Sequence, residues 1–329
     1  MAGRAATFLA SIVLFSLLGI SAAQSESLAA PGELVDVGGH SLHILCIGEG
    51  SPTVVLETGL GDASINFRSL QTRLASYTRT CAYDRAGYGW SESGPEPRDL
   101  RTVASELGTL LQGAGENGPY VLAGHSIGGL YALGFAAQNR DDVVGVVLID
   151  SSHPRQLEEL RAVPEVIDVQ DMEIQGLAGI VAMAEDGSLP PELVRPNAPP
   201  VLRADLQDQW AQLFVQAKQL KAAVAEYDAI DATMGQASES LDLGDIPLIV
   251  LSRGVGLEGQ LPPDALAALG LTPDVLQRFD EIWAGLQSGL VSASTDSKQV
   301  TAEHATHYIY YQAPTLVGAA IRELVREAR

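Results

Sequence analysis

Short apolar runs rich in valine, isoleucine and leucine recur along the chain, and most are followed by a stretch with helical apolar spacing. "ELVDVGGHSLHILCIGEG" carries two such runs on either side of Gly38-Gly39, the pattern of a hairpin with a tight turn. "PTVVLETGLG" reads as a buried strand that ends in a glycine-rich loop, and residues 64–77 then take up helical spacing. "TRTCAYD" is the next strand, with the loop "DRAGYGWSESG" after it. Residues 99–112 predict a helix whose apolar positions are Val103, Leu107, Leu110 and Leu111. "PYVLAGHS" is a strand running straight into a helix, "IGGLYALGFAAQNR". Two β-branched strands, "DVVGVVLID" and "IPLIVLSRG", come next, then a last strand and loop, "SKQVTAEHATH". The chain closes on an amphipathic helix, "APTLVGAAIRELVREAR", with basic residues near its end as the helix dipole prefers.

Strands that alternate with helices predict a mostly parallel sheet covered on both faces, and fully apolar strands fit burial on both sides. Residues 151–245 interrupt the alternation. They are polar, helical and broken at "LPPELVRPNAPP", so they read as a helical cap inserted between two core strands. The core is then expected from residues 24–150 and 246–329.

The first residues change the picture of where the protein works. Arg4 precedes a nearly unbroken apolar run from Ala5 to Ile20, and Ser21-Ala22-Ala23 supplies small residues. This is the layout of a secretory signal peptide over residues 1–23, cleaved after Ala23. The mature chain is expected to be secreted or periplasmic, with no stable membrane span left after cleavage. The net charge of −21 and a pI near 4.5 exclude a nucleic-acid partner, which needs a basic footprint.

The candidate chemistry centres on Gly124-His125-Ser126-Ile127-Gly128, between a predicted strand and a predicted helix. A sharp turn there presents the serine hydroxyl, and glycines two residues to either side avoid collisions. Strand order, this Gly-x-Ser-x-Gly turn, the cap and a late histidine together resemble the α/β-hydrolase family. The resemblance implies an eight-stranded, mostly parallel sheet with helices on both faces. It also implies serine hydrolase chemistry: Ser126 as nucleophile, a histidine base and an acid that orients the base. His307 fits the base, since "ATHYIYYQAPTLVGAAI" is similar to the family's run of a histidine, a proline and a final apolar helix. His304 and His153 stand as alternatives, whereas His40 and His43 read as exposed turn residues. The acid is Asp150, at the end of "VVGVVLID", or Glu258 in "RGVGLEG", with Asp245 and Asp274 further off.

The resemblance further implies an oxyanion hole from the N–H groups of Ile127 and Leu60, the latter in "ETGLGD". A serine at the turn argues against the branches of the family that use aspartate there. No cofactor or metal is implied, and neither cysteine has metal-site spacing. In "YDRAGYGWSESG", Asp84 and Arg85 are expected to tie the loop down. The fold's usual strand order makes the strands of Cys46 and Cys81 neighbours, which implies a disulfide, with a stabilisation of roughly 3–4 kcal/mol for a loop of this length.

The expected substrate is a small ester or other acyl compound, with amides and lactones open to the same chemistry. Two other readings stand beside it. An aminopeptidase of the same fold would bind an amine with cap acids such as Glu158, Glu159 and Asp171. A noncatalytic binding protein would keep the fold alone.

Overall fold

In the computed structural model, which describes residues 28–329, the apolar runs become the strands of one eight-stranded sheet. They are β1 (Glu33–Asp36), β2 (Ser41–Ile47), β3 (Thr53–Glu57), β4 (Thr80–Tyr83), β5 (Tyr120–His125), β6 (Val143–Ile149), β7 (Leu248–Arg253) and β8 (Ser297–Ala302). Their order across the sheet is β1-β2-β4-β3-β5-β6-β7-β8. The β1–β2 and β2–β4 pairings are antiparallel, and all those from β4 to β8 are parallel.

Alternate residues of each strand feed two separate apolar layers. On one face, Val55, Leu122, Val146 and Val250 pack with helices Leu100–Gly113 and Ile127–Gln138. On the other, Val54, Leu56, Val121, Val147 and Ile249 pack with helices Arg68–Leu74 and Pro314–Glu327. Burial on both faces is why these strands carry no polar alternation.

The β1–β2 turn uses Gly38 and Gly39 at φ 114° and 102°, with both N–H groups donating to Asp36 Oδ1. Cys46 lies directly opposite Cys81 in the β2–β4 register, and the two form a disulfide.

Six α-helices between Gln156 and Glu239 separate β6 from β7, the cap that the broken pattern predicts. A second helical excursion, within the residues 246–329 expected to form part of the core, separates β7 from β8. Its main helix, Pro273–Leu290, packs Phe279 and Leu286 against Leu160, Val163 and Val166 of the cap.

His43 corrects an expectation. It is fully buried rather than exposed, because Nδ1 pairs with Asp84 Oδ2 at 2.8 Å and Nε2 with the Pro31 carbonyl at 2.9 Å. Both ring nitrogens are satisfied, so burial leaves no orphaned polar group. His40 is also largely buried, against Glu106 at 3.1 Å. The expected signal peptide lies outside the described residues. Among the described residues no helix is long and apolar enough to cross a membrane.

Candidate active site

Ser126 sits between the last residue of β5 and the first of the helix Ile127–Gln138, at φ 55° and ψ −128°. A side-chain-bearing residue rarely adopts such angles, and the surrounding bonds impose them. Its N–H donates to the Ile149 carbonyl at 3.2 Å, and its own carbonyl accepts from Gly129 and Ser152, each at 3.0 Å. Glycine is obligatory around it. A Cβ at Gly124 would lie 2.4 Å from the Gly128 carbonyl oxygen, and one at Gly128 would lie 2.3 Å from that of Thr58. Serine at a helix N-cap normally bonds back to the first turn, but the Ser126 hydroxyl makes no such bond. Its position is thus not explained by capping.

His307 lies in the loop between β8 and the last helix, and its Nδ1 is 2.7 Å from Asp150 Oδ2. Asp150, directly after β6, is fully buried and itself has φ 41°. Its Oδ1 accepts from Trp283 Nε1 at 2.9 Å and from the Arg253 N–H at 3.1 Å. Burial alone would raise its carboxyl. The His307 hydrogen bond and charge, the Arg253 guanidinium and the Trp283 N–H outweigh burial and hold it below the ordinary aspartate value. An ionised Asp150 accepts a hydrogen bond from the Nδ1–H of His307, which fixes the tautomer with a lone pair on Nε2.

The histidine loop is seated against the serine turn through His125. Nε2 of His125 donates to the His307 carbonyl at 2.9 Å, and the two rings are 4.5 Å apart. Burial, with the His307 charge adding to it, pushes His125 down to about 3 from an ordinary 6.5. The unfolded chain therefore binds this proton first as the pH falls. The stability that follows from keeping His125 neutral is complete above pH 6.5 and is lost progressively on acidification towards 3. Between pH 7 and 5 this single group is expected to cost about 2 kcal/mol. Denaturant titrations of the wild type and His125→Gln at both pH values check it, since the variant should lose that much less on acidification.

The loop after β3 approaches from the other side. A Cβ at Gly59 would meet Ser126 Cβ at 3.3 Å and His125 Nδ1 at 3.0 Å, so a side chain here would crowd the serine turn by a few tenths of an ångström. The N–H groups of Leu60 and Ile127 take no backbone partner among the described residues. For Ile127 this follows from its place in the first turn of a helix.

The other candidates lie elsewhere. Glu258, His304, Asp245 and Asp274 are exposed. His153 is buried but accepts from the Arg155 N–H at 3.0 Å. Glu158 and Glu159 pair with Arg155 on the surface, and Asp171 accepts from the Tyr227 hydroxyl at 2.6 Å. Asp84 does tie its loop down, accepting from the Ser64 and Trp90 N–H groups at 2.6 and 3.1 Å.

The sequence reading missed Arg253 and Trp283. A helical period through Val275, Phe279, Trp283, Leu286 and Leu290 was available to find the helix. Nothing in that period says that Trp283 turns its N–H to Asp150.

The alpha/beta hydrolase family model matches residues 54–320, from β3 into the last helix. The chain belongs to the alpha/beta hydrolase family. The YqjL protein of Bacillus subtilis (strain 168) is 24% identical to this alpha/beta hydrolase over 277 residues, covering 84% of this chain and 85% of its own. A thermophilic esterase from Thermogutta terrifontis superposes with a TM-score of 0.57 at 20% identity, covering 88% of this chain and 94% of the other. The enol-lactonase from Burkholderia xenovorans LB400 does so with a TM-score of 0.59 at 18% identity, covering 89% and 100%. At these identities the two structures share the fold with this alpha/beta hydrolase.

Proposed function

We propose that this chain hydrolyses carboxylic esters through an acyl-enzyme on Ser126. The observation that carries the reading is the 2.7 Å bond from His307 to a buried, ionised Asp150, with the His307 ring 4.5 Å from that of His125, the residue before a serine held in a strained turn with its hydroxyl uncapped. His307 Nε2 takes the Ser126 proton as the oxygen attacks the ester carbonyl. The carbonyl electron pair moves onto oxygen, where the Leu60 and Ile127 N–H groups receive it. Collapse expels the alcohol, which takes the proton from His307. Water, deprotonated by the same imidazole, then attacks the acyl-enzyme, and the imidazole returns the proton to the Ser126 oxygen as the acid leaves. The esterase and lactonase with the same fold perform acyl chemistry of this kind by their names, which supports the reading. The Cys46–Cys81 disulfide and the leader-like pattern of the first residues support an activity in an oxidising compartment outside the cytoplasm.

A fluorophosphonate probe is the direct test. Labelling at neutral pH is expected on the peptide that contains Ser126, with p-nitrophenyl esters turned over in preference to amino-acid anilides. Folded protein that takes no label would mark a binding protein, and preference for anilides would mark a peptidase.

A further inference from the structure

Arg85 follows β4 and is buried to 1% exposure, a depth at which its charge must be paired. Its donors are fully used. Nε and Nη2 form a fork on Glu226 at 2.7 and 2.9 Å. Nη1 reaches Glu57 Oε1 and the Thr58 carbonyl, both at 2.8 Å. Nη2 also donates to the Gly59 carbonyl at 2.9 Å. This last bond matters for chemistry. The C=O of Gly59 and the N–H of Leu60 belong to one planar trans peptide, in which they point in opposite directions. Holding the oxygen on Arg85 turns the Leu60 N–H away from the arginine.

The same loop is gripped once more. Gln219 Nε2 donates to the Gly61 carbonyl at 2.8 Å, and the Gly61 N–H donates to the Tyr88 hydroxyl at 3.3 Å. Tyr88 in turn donates to Glu226 at 2.9 Å. Gln219 and Glu226 both stand on the cap helix Ala217–Asp228. The loop carbonyls at Thr58, Gly59 and Gly61 are thus fixed from behind, the last directly by the cap.

Building on the serine hydrolase reading above, we infer that Arg85, backed by the cap carboxylate Glu226, is a positioning residue for the oxyanion hole: it fixes the Gly59–Leu60 peptide so that the Leu60 N–H faces the tetrahedral intermediate. Docking of this cap helix is then a condition for the chemical step and not only a wall for the substrate.

Arg85→Lys keeps the charge but loses the fork, and Glu226→Gln keeps the shape of the cap side of the cluster. Both are compared with the wild type on p-nitrophenyl acetate and on an alkyl boronic acid, whose tetrahedral adduct on Ser126 places an oxygen in the hole. For Arg85→Lys kcat is expected to fall about 100-fold, the scale of one oxyanion donor. For Glu226→Gln about 10-fold is expected. KM stays within about threefold for both, and boronate affinity falls in step with kcat. If Arg85→Lys does not fold, Glu226→Gln decides alone. A cluster that only staples the cap would lower the unfolding temperature and leave kcat and boronate affinity of the folded variants unchanged, which overturns the inference. A wild type with no Ser126-dependent labelling or turnover overturns the hydrolase reading itself, and this inference with it.

Discussion

Replacement of Ser126 by alanine is expected to lower kcat for a p-nitrophenyl ester by about 10⁶-fold while leaving the fold intact. The size follows from removing the nucleophile of a unit whose members act together. Retention of the fold follows from the structure, because the lost hydroxyl caps no helix. The bonds that impose the strained turn are all made by backbone atoms of residue 126. A long discontinuous assay beside a thermal melt measures both halves. An alanine variant with a tenth of wild-type turnover would remove Ser126 from the mechanism.

Asp150→Asn is expected to cost about 10⁴-fold in kcat. Both oxygens of Asp150 accept hydrogen bonds, from His307, Trp283, the Arg253 amide and the Arg253 guanidinium. An asparagine must turn its NH₂ towards one of these donors. Turned to His307, it forces the ring into the tautomer whose Nε2 carries the proton and cannot accept one from serine. Turned the other way, it leaves Trp283 and the Arg253 amide facing a donor, a buried mismatch that also destabilises the fold. Glu258→Gln, at an exposed position without contact to His307, is expected to stay within twofold of wild type. The opposite pattern, loss only in Glu258→Gln, would move the acid to Glu258.

Apart from His307, the parts that were readable in the sequence share one physical property: each is set by neighbours close in the chain. The strands follow from local apolar runs, and the serine turn follows from Gly124 and Gly128 two residues away on either side. His307 could be singled out because resemblance fixed its place before the last helix. What could not be read depends on distant partners. Arg85 and Glu226 are separated by 141 residues, and Asp150 and Trp283 by 133. Periodicity tells which helix face is buried but not which polar atom waits beneath it. His43 shows the same limit, since a polar residue in a hairpin reads as exposed until Asp84 and the Pro31 carbonyl are seen to occupy both its nitrogens.

The Cys46–Cys81 bridge joins residues 35 positions apart, and the segment it encloses includes β3, Gly59 and Leu60. A peptide bond cut anywhere inside that covalent ring would leave both fragments tethered as one molecule until a reductant arrived. Proteolytic scission at the Gly59–Leu60 loop would therefore not by itself release either half of the protein.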